Sequence, residues 1–221
     1  VYENLFRVCP ELFLLYNHKR LHEHTRGAAM LDKSIPYYNI LMERKKGKPL
    51  FHYDLPEGFR FVLFRPGDEL AWAEIETSVL EFDKVDDALY YFRESYMTYM
   101  DELQKRCLFI ENADGKKVAT LTVWWTYTGN RRDPWLHWVA VRPEYQGLGL
   151  GKALVSKGMK YLVEMEGDRN VYLHTQTWSY KAVGIYRKAG FEITKKKGLG
   201  GYENDEYDKA MKLLKQLGYV E

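Results

Sequence analysis

The sequence predicts an α+β domain in three α/β/α layers: a mixed sheet with helices on both faces. Three observations lead there. Apolar residues recur at period two in some segments and near 3.6 in others, with Gly and Pro between them. The stretch "NADGK" at 112–116 puts an Asp-Gly turn between two apolar runs, the signal of an antiparallel hairpin. The order along the chain is strand, two helices, hairpin, strand, helix, strand, helix, strand, which gives a mixed sheet covered on both sides.

Each element has its own signal. "IPYYNILMER" (35–44) and "FRFVLFR" (59–65) alternate or run apolar over strand lengths. After "RPGDE", Ala71, Ile75 and Val79 recur at helical spacing. A second helix places Val85, Leu89, Phe92, Tyr96, Met100 and Leu103 on one stripe. "RCLFIE" and "KVATLTVWWTY" flank the hairpin turn, and "WLHWVAV" (135–141) follows as a strand. A helix from about Gly147 to Glu166, the strand "NVYLHTQ", a helix from about Ser179 to Lys188 and the strand "FEITKKK" complete the alternation. In "NDEYDKAMKLLKQLG", Asn204 reads as the cap of a last helix, with Met211, Leu214 and Leu217 on one side and Gly218 as its stop.

Composition narrows the class. At 221 residues, 46% of them apolar, the chain suits one domain with appendages. A formal charge of +2 gives no electrostatic case for nucleic acid or a membrane surface. The two cysteines, Cys9 and Cys107, lie far apart and read as free thiols of a reducing compartment. "ELFLLYNHKR" is too short an apolar run for a signal peptide, and no stretch approaches the roughly 18 apolar residues of a membrane span. The expected location is cytoplasmic.

The informative motif is "EYQGLGLGK" at 144–152. A P-loop needs glycine where Gln146 stands and Ser or Thr where Ala153 stands. A dinucleotide fingerprint needs its third glycine at Lys152 or Leu154. Both fail. The pattern Gln/Arg-x-x-Gly-x-Gly/Ala, directly after a strand and opening a helix, is met by Gln146, Gly149 and Gly151, with Gly147 as an extra glycine. With its lead-in "VAVRPEYQGLGLGKALV", this resembles the pyrophosphate loop of the GNAT superfamily of acyl-CoA-dependent N-acetyltransferases. The unpaired N–H groups and positive dipole of a helix start suit a pyrophosphate independently of that resemblance. "SYKAVGIYRKAGFE" resembles the family's later motif through Ala182, Ile185, Tyr186, Gly190 and Phe191. Ser179 stands where the family often has Asn, a departure from the motif; serine can still cap the helix.

The resemblance covers roughly residues 59–197. It implies a mostly antiparallel sheet of the GNAT type, with an added N-terminal strand and C-terminal helix. Residues 1–50 are then an N-terminal extension and 51–221 the acetyltransferase domain. It also implies that acetyl-CoA is the co-substrate, held by Gln146, Gly147, Leu148, Gly149, Gly151, Lys152 and Ser179 and by the backbone of Val139 and Val141.

Acyl transfer to an amine needs a free lone pair and a protonated leaving thiolate. An alkylamine of pKa ~10.4 is neutral at pH 7 only to the order of one part in a thousand, so a base or a desolvating pocket must help. Tyr, of pKa about 10, is matched to a departing thiol. The resemblance puts Tyr186 in that acid role, the alternative being a packing tyrosine. His137 is the candidate base, the alternative being a partly buried histidine held by backbone. Strict alternation sets His137 on one strand face with Trp135, Val139 and Val141. His174, Gln176, Glu74 and Glu76 are further groups able to orient the amine or relay its proton, each with a structural reading beside it. His18, His22 and His24 lack an acid or Cys to complete a metal site, so no metal is expected. Arg131 and Arg132 read as a solvated turn. Trp124, Trp125, Tyr127, Trp135, Trp138 and Trp178 gather near the expected acceptor pocket, whose aromatic walls would favour an apolar or cationic acceptor, the alternative for at least half of them being core packing.

The expectation is acetyl transfer from acetyl-CoA to a primary amine, of a small molecule or a peptide, by direct attack in a ternary complex. Cys107 has no sequence-local activator, so no covalent enzyme intermediate is expected. No nucleic-acid or membrane partner is expected, and a homodimer is left open. The alternative is a non-catalytic acyl-CoA-binding or sensor module.

Overall fold

The computed structural model describes residues 31–220; Cys9, His18, His22 and His24 lie outside them. Seven strands form one sheet in the order β2-β3-β4-β5-β6-β1-β7. They are β1 (Asn39–Arg44), β2 (Phe59–Leu63), β3 (Cys107–Asn112), β4 (Lys117–Thr128), β5 (Arg131–Val141), β6 (Val171–Gln176) and β7 (Glu192–Ile193). Every pairing is antiparallel except β5 with β6. The mixed, mostly antiparallel sheet of the sequence reading is therefore present. β1, from the expected N-terminal extension, lies inside the sheet and pairs with β6 on one edge and β7 on the other.

Helices cover both faces. On one side lie α1 (Glu69–Ser78), α2 (Val85–Tyr96) and α3 (Met100–Arg106), packed through Trp72, Phe92, Tyr96 and Leu103 onto Phe109 and Trp124. On the other lie α4 (Leu150–Glu166), α5 (Tyr180–Lys188) and α6 (Tyr207–Gln216), whose Leu154, Met159, Val183 and Leu214 bury against Met42, Ile110 and Leu121. Full burial of each such side chain contributes roughly 1.5–3 kcal/mol, so these layers hold the sheet from both sides. Among the described residues no helix is long and apolar enough to cross a membrane.

Three expectations are corrected. The stripe from Val85 to Leu103 is not one helix: a 3-10 turn at Met97–Tyr99 separates α2 from α3. That turn re-aims the chain, so that Tyr96 and Leu103 are both wholly buried. The strand expected over 191–197 is only two residues long. The Thr194 N–H still donates to the Leu41 carbonyl of β1 (3.0 Å), but the Asn204 side-chain amide donates to the carbonyls of Thr194 (2.7 Å) and Lys196 (2.9 Å), where the ladder stops. Asn204 is thus not the helix cap; it sits in the left-handed region (φ 56°), and Glu206 occupies the cap position of α6. Gly218 does end that helix, in the left-handed region and donating to the carbonyl of Lys215.

The feature that positions the site lies in β5. Its register against β4 steps from Thr122↔His137 to Thr120↔Ala140, one residue more on β5 than on β4. Trp138 takes up the extra residue with φ 52°, unusual for a bulky side chain. Strict alternation fails there. Leu136, Val139 and Val141 pack toward α4 and α5, whereas Trp138 and Ala140 join the core under α1 and α2, and His137 meets Tyr96 of α2. His137 therefore does not share a face with Val139 and Val141.

Candidate active site

β5 and β6 pair only at Trp135↔Tyr172. Beyond that point β5 stays with β4 and β6 with β1, so the sheet opens into a cleft between two adjacent strands. Backbone groups on the parted edges are left to find partners in whatever occupies the cleft.

The glycine loop closes one end of it. Arg142 anchors the loop by donating to the Lys117 carbonyl (3.0 Å) and to the Glu74 carboxylate (2.8 Å). The Gln146 amide turns back to donate to the Val141 carbonyl (2.9 Å), so its side chain fastens the loop to the strand end. Gly147 (φ 83°) and Gly149 (φ 88°) both require left-handed backbone. α4 begins directly after Gly149, and the bonds closing its first turn start at Lys152, which donates to the Gly149 carbonyl (3.0 Å). The preceding N–H groups and the positive end of a 17-residue helix face the loop. A Cβ on Gly149 would lie 2.7 Å from the Tyr53 hydroxyl oxygen. Tyr53 is held there by its own N–H, which donates to Ser156 of α4 (3.1 Å), and its ring lies 5.0 Å from the Lys152 ammonium. Leu148 points half exposed from the loop.

From the loop a narrow apolar cleft runs between Val139 and Val141 of β5, Gly151 and Val155 of α4, and Ala182, Ile185 and Tyr186 of α5. It meets a larger cavity of about 120 Å³, and Val139, Ala182 and Tyr186 line both. Tyr186 is 6% exposed. Burial raises its pKa, with Glu81 and Glu76 adding to the shift, so the phenol is protonated at neutral pH. Ser179 lines the larger cavity and stands at the cap position of α5, without a side-chain capping bond.

His137 and His174 both line that cavity. The ring nitrogens of His137 lie 2.9 Å from the Tyr96 hydroxyl and 3.5 Å from that of Thr126. Burial holds its pKa down at about 4, and that of His174 at about 3, the latter also through the nearby His137. Both imidazoles are neutral at pH 7. His174 stacks on Tyr202 (centroids 4.4 Å apart) and its Nε2 contacts the Asn39 side-chain oxygen (2.8 Å).

The carboxylates divide cleanly. Glu74 is exposed and committed to Arg142. Glu76 is 1% exposed, lines the cavity and has one carboxyl oxygen without a hydrogen-bond partner. Burial raises its pKa well above the usual value, and the neighbouring Glu81 raises it further. Glu81, also on the cavity wall, accepts from the Gln176 amide (3.1 Å); burial raises its pKa against that bond and the charge of Lys33. Glu81 was not evident from sequence, because it follows α1 in an irregular turn after left-handed Leu80, where no periodicity marks an inward direction. Tyr91 and Tyr202, two more wall residues, were likewise unmarked, Tyr202 because only the fold brings the loop after β7 back over Trp135.

Of the six aromatic residues expected around the pocket, Trp135 and Trp138 line the cavity. Trp124 and Trp125 stack on each other (4.2 Å), and Trp178 donates to the Ile35 carbonyl (2.7 Å). Of the Arg pair expected to be solvated, Arg131 stays exposed while binding Asp133, and the half-buried Arg132 binds the nearly buried Glu166 through two bonds.

Comparison with known proteins places this geometry. A mycothiol acetyltransferase from Paenarthrobacter aurescens is 31% identical in an alignment of 152 positions that covers 62% of this chain and 43% of that protein. The chain thus spans less than half of that relative. An N-alpha-acetyltransferase from Sulfurisphaera tokodaii is 29% identical over 114 residues, 48% of this chain and 66% of that protein. The crystal structure of a GCN5-related N-acetyltransferase from Sphaerobacter thermophilus superimposes with a TM-score of 0.56 at 24% identity, over 71% of this chain and 48% of that one, and shares its fold. The family model for the acetyltransferase (GNAT) family matches residues 69–191, more than half of the sequence, including β5, the glycine loop, β6 and Tyr186, and the chain belongs to that family.

Proposed function

We propose that the protein transfers an acetyl group from acetyl-CoA to a primary amine, and that the meeting of cleft and cavity at Tyr186 is where transfer occurs. That junction is the observation that carries the reading. Acetyl-CoA supplies an activated thioester carbonyl. The loop from Gln146 to Gly151, with Lys152, suits the pyrophosphate, because it presents backbone N–H groups and a helix dipole from a glycine-rich turn. The cleft along Val139 and Val141 suits the pantetheine arm, and the cavity suits the amine.

In this reading each residue has one task. A protonated amine entering the cavity gives its extra proton to Glu81, whose raised pKa makes it a stronger acceptor than His137 held near 4. His137 serves as a neutral wall group. As the new N–C bond forms and the C–S bond breaks, the Tyr186 hydroxyl gives its proton to the leaving sulfur. Tyr186 then recovers a proton from the newly acylated nitrogen, and the balance closes with one proton left on Glu81 to be released to solvent.

The test has two readouts. Acetyl-CoA raises the melting temperature while ATP and NAD do not, and an amine panel yields free thiol only in the presence of an acceptor. Failure of acetyl-CoA to stabilise the protein would sink the reading. Stabilisation without thiol release on any amine would instead indicate a binding module.

A further inference from the structure

Resting on the acetyl-transfer reading, the nature of the cavity wall speaks to the acceptor. Glu76 and Glu81 approach from the end of α1, and among the described lining residues there is no Lys or Arg. Glu76 is buried to 1% exposure with a carboxyl oxygen lacking any hydrogen-bond partner. A buried carboxyl oxygen of that kind costs stability unless a donor arrives, so it marks the place of a ligand N–H. Gln176 fixes Glu81 by a 3.1 Å bond, so the second carboxyl is oriented rather than free to swing away. Tyr91, Trp138 and Tyr202 add aromatic faces, which attract cations and apolar groups.

The same wall favours a cation over an anion. An α-amino acid would bring a carboxylate within two bonds of its amine carbon, beside two acidic side chains, with no Lys or Arg among the described lining residues and with the charge of nearby Lys33 already acting on Glu81. A carboxylate there opposes the ionisation of Glu76 and Glu81, which burial already disfavours, whereas an ammonium favours it.

We infer that the acceptor is a small primary amine bearing no carboxylate next to the amine, taken up as its ammonium ion between Glu76 and Glu81. Hydroxyl, aryl or alkyl groups on the rest of the molecule fit the polar and aromatic wall.

Matched pairs test this on the wild-type chain, with CoA present so that no turnover intervenes: 2-phenylethylamine against phenylalanine, histamine against histidine, and isobutylamine against valine. Calorimetry is expected to show each amine binding at least about tenfold more tightly than its amino acid in the pairs that bind. The Glu81→Gln and Glu76→Gln variants are each expected to weaken amine binding by roughly tenfold, with CoA affinity unchanged. Equal binding within pairs, preference for the amino acids, no binding in any pair, or an amine preference that survives both substitutions overturns the inference. These failures leave acetyl-CoA stabilisation and thiol release intact, whereas loss of those would remove the acetyl-transfer reading itself.

Discussion

At the scale of single residues, Tyr186 is the position where packing and chemistry make opposite demands. Burial favours a side chain without a polar tip, and it raises the cost of ionising the phenol. A tyrosine kept protonated at a cavity junction can donate a proton when a thiolate forms beside it and regain one from the product nitrogen. Phenylalanine fills the same volume without the proton. Tyr186→Phe is therefore expected to lower turnover by about tenfold or more while the acetyl-CoA dissociation constant stays within about twofold. Steady-state rates with calorimetric binding check this, and an unchanged rate removes Tyr186 as the acid. The residue was legible in sequence only through the resemblance of "AVGIYRKAGF" to a family motif. Glu81 had no such context, and the inward aim of its carboxyl depends on a turn after α1 and on Gln176 from β6, two elements far apart in the chain.

At the scale of elements, the unit that matters is strand β5, its loop and helix α4. Gly149 has left-handed backbone, and Tyr53 covers it at a distance no Cβ tolerates. Gly149→Ala adds roughly 1–2 kcal/mol of backbone strain and displaces Tyr53 from the loop. The expected outcome is a lower melting temperature and acetyl-CoA affinity reduced by about tenfold, with the helix content of the circular dichroism spectrum retained. Unchanged affinity would mean that the loop does not hold the pyrophosphate. The strand, loop and helix were readable because apolar alternation, glycine spacing and helical period each speak locally. The bulge inside the strand was not. Trp138 carries no glycine signal, and its left-handed backbone is set by neighbours across the sheet, so period-two counting put His137 on the wrong face. β7 failed for a similar reason: Asn204, ten residues on from Thr194, captures the carbonyls that a longer strand would have paired. The break between α2 and α3 was hidden by a hydrophobic stripe that continues in phase across it.

At the scale of the whole molecule, two histidines and two carboxyls in one cavity, His137, His174, Glu76 and Glu81, make stability respond to pH. His137 and His174 have native pKa values of about 4 and about 3, below the 6.5 of an exposed histidine. The unfolded chain then binds more protons than the native one as pH falls below 6.5, so their stabilising contribution is present above 6.5 and lost on the way down to those native values. Glu76 has the opposite sign. Its native pKa lies well above 4.5, so its contribution is full below 4.5 and is lost as pH rises through the native value. Glu76→Gln removes that loss, because the amide is neutral at every pH. Its denaturation midpoint relative to wild type is expected to climb as pH rises above 4.5, and a difference that stays constant with pH would show that Glu76 does not titrate in the native cavity. A cationic amine held beside Glu76 and Glu81 stabilises their charged forms. Saturation with a binding amine should therefore flatten the alkaline decline of the wild-type protein and leave the variant's profile much less changed.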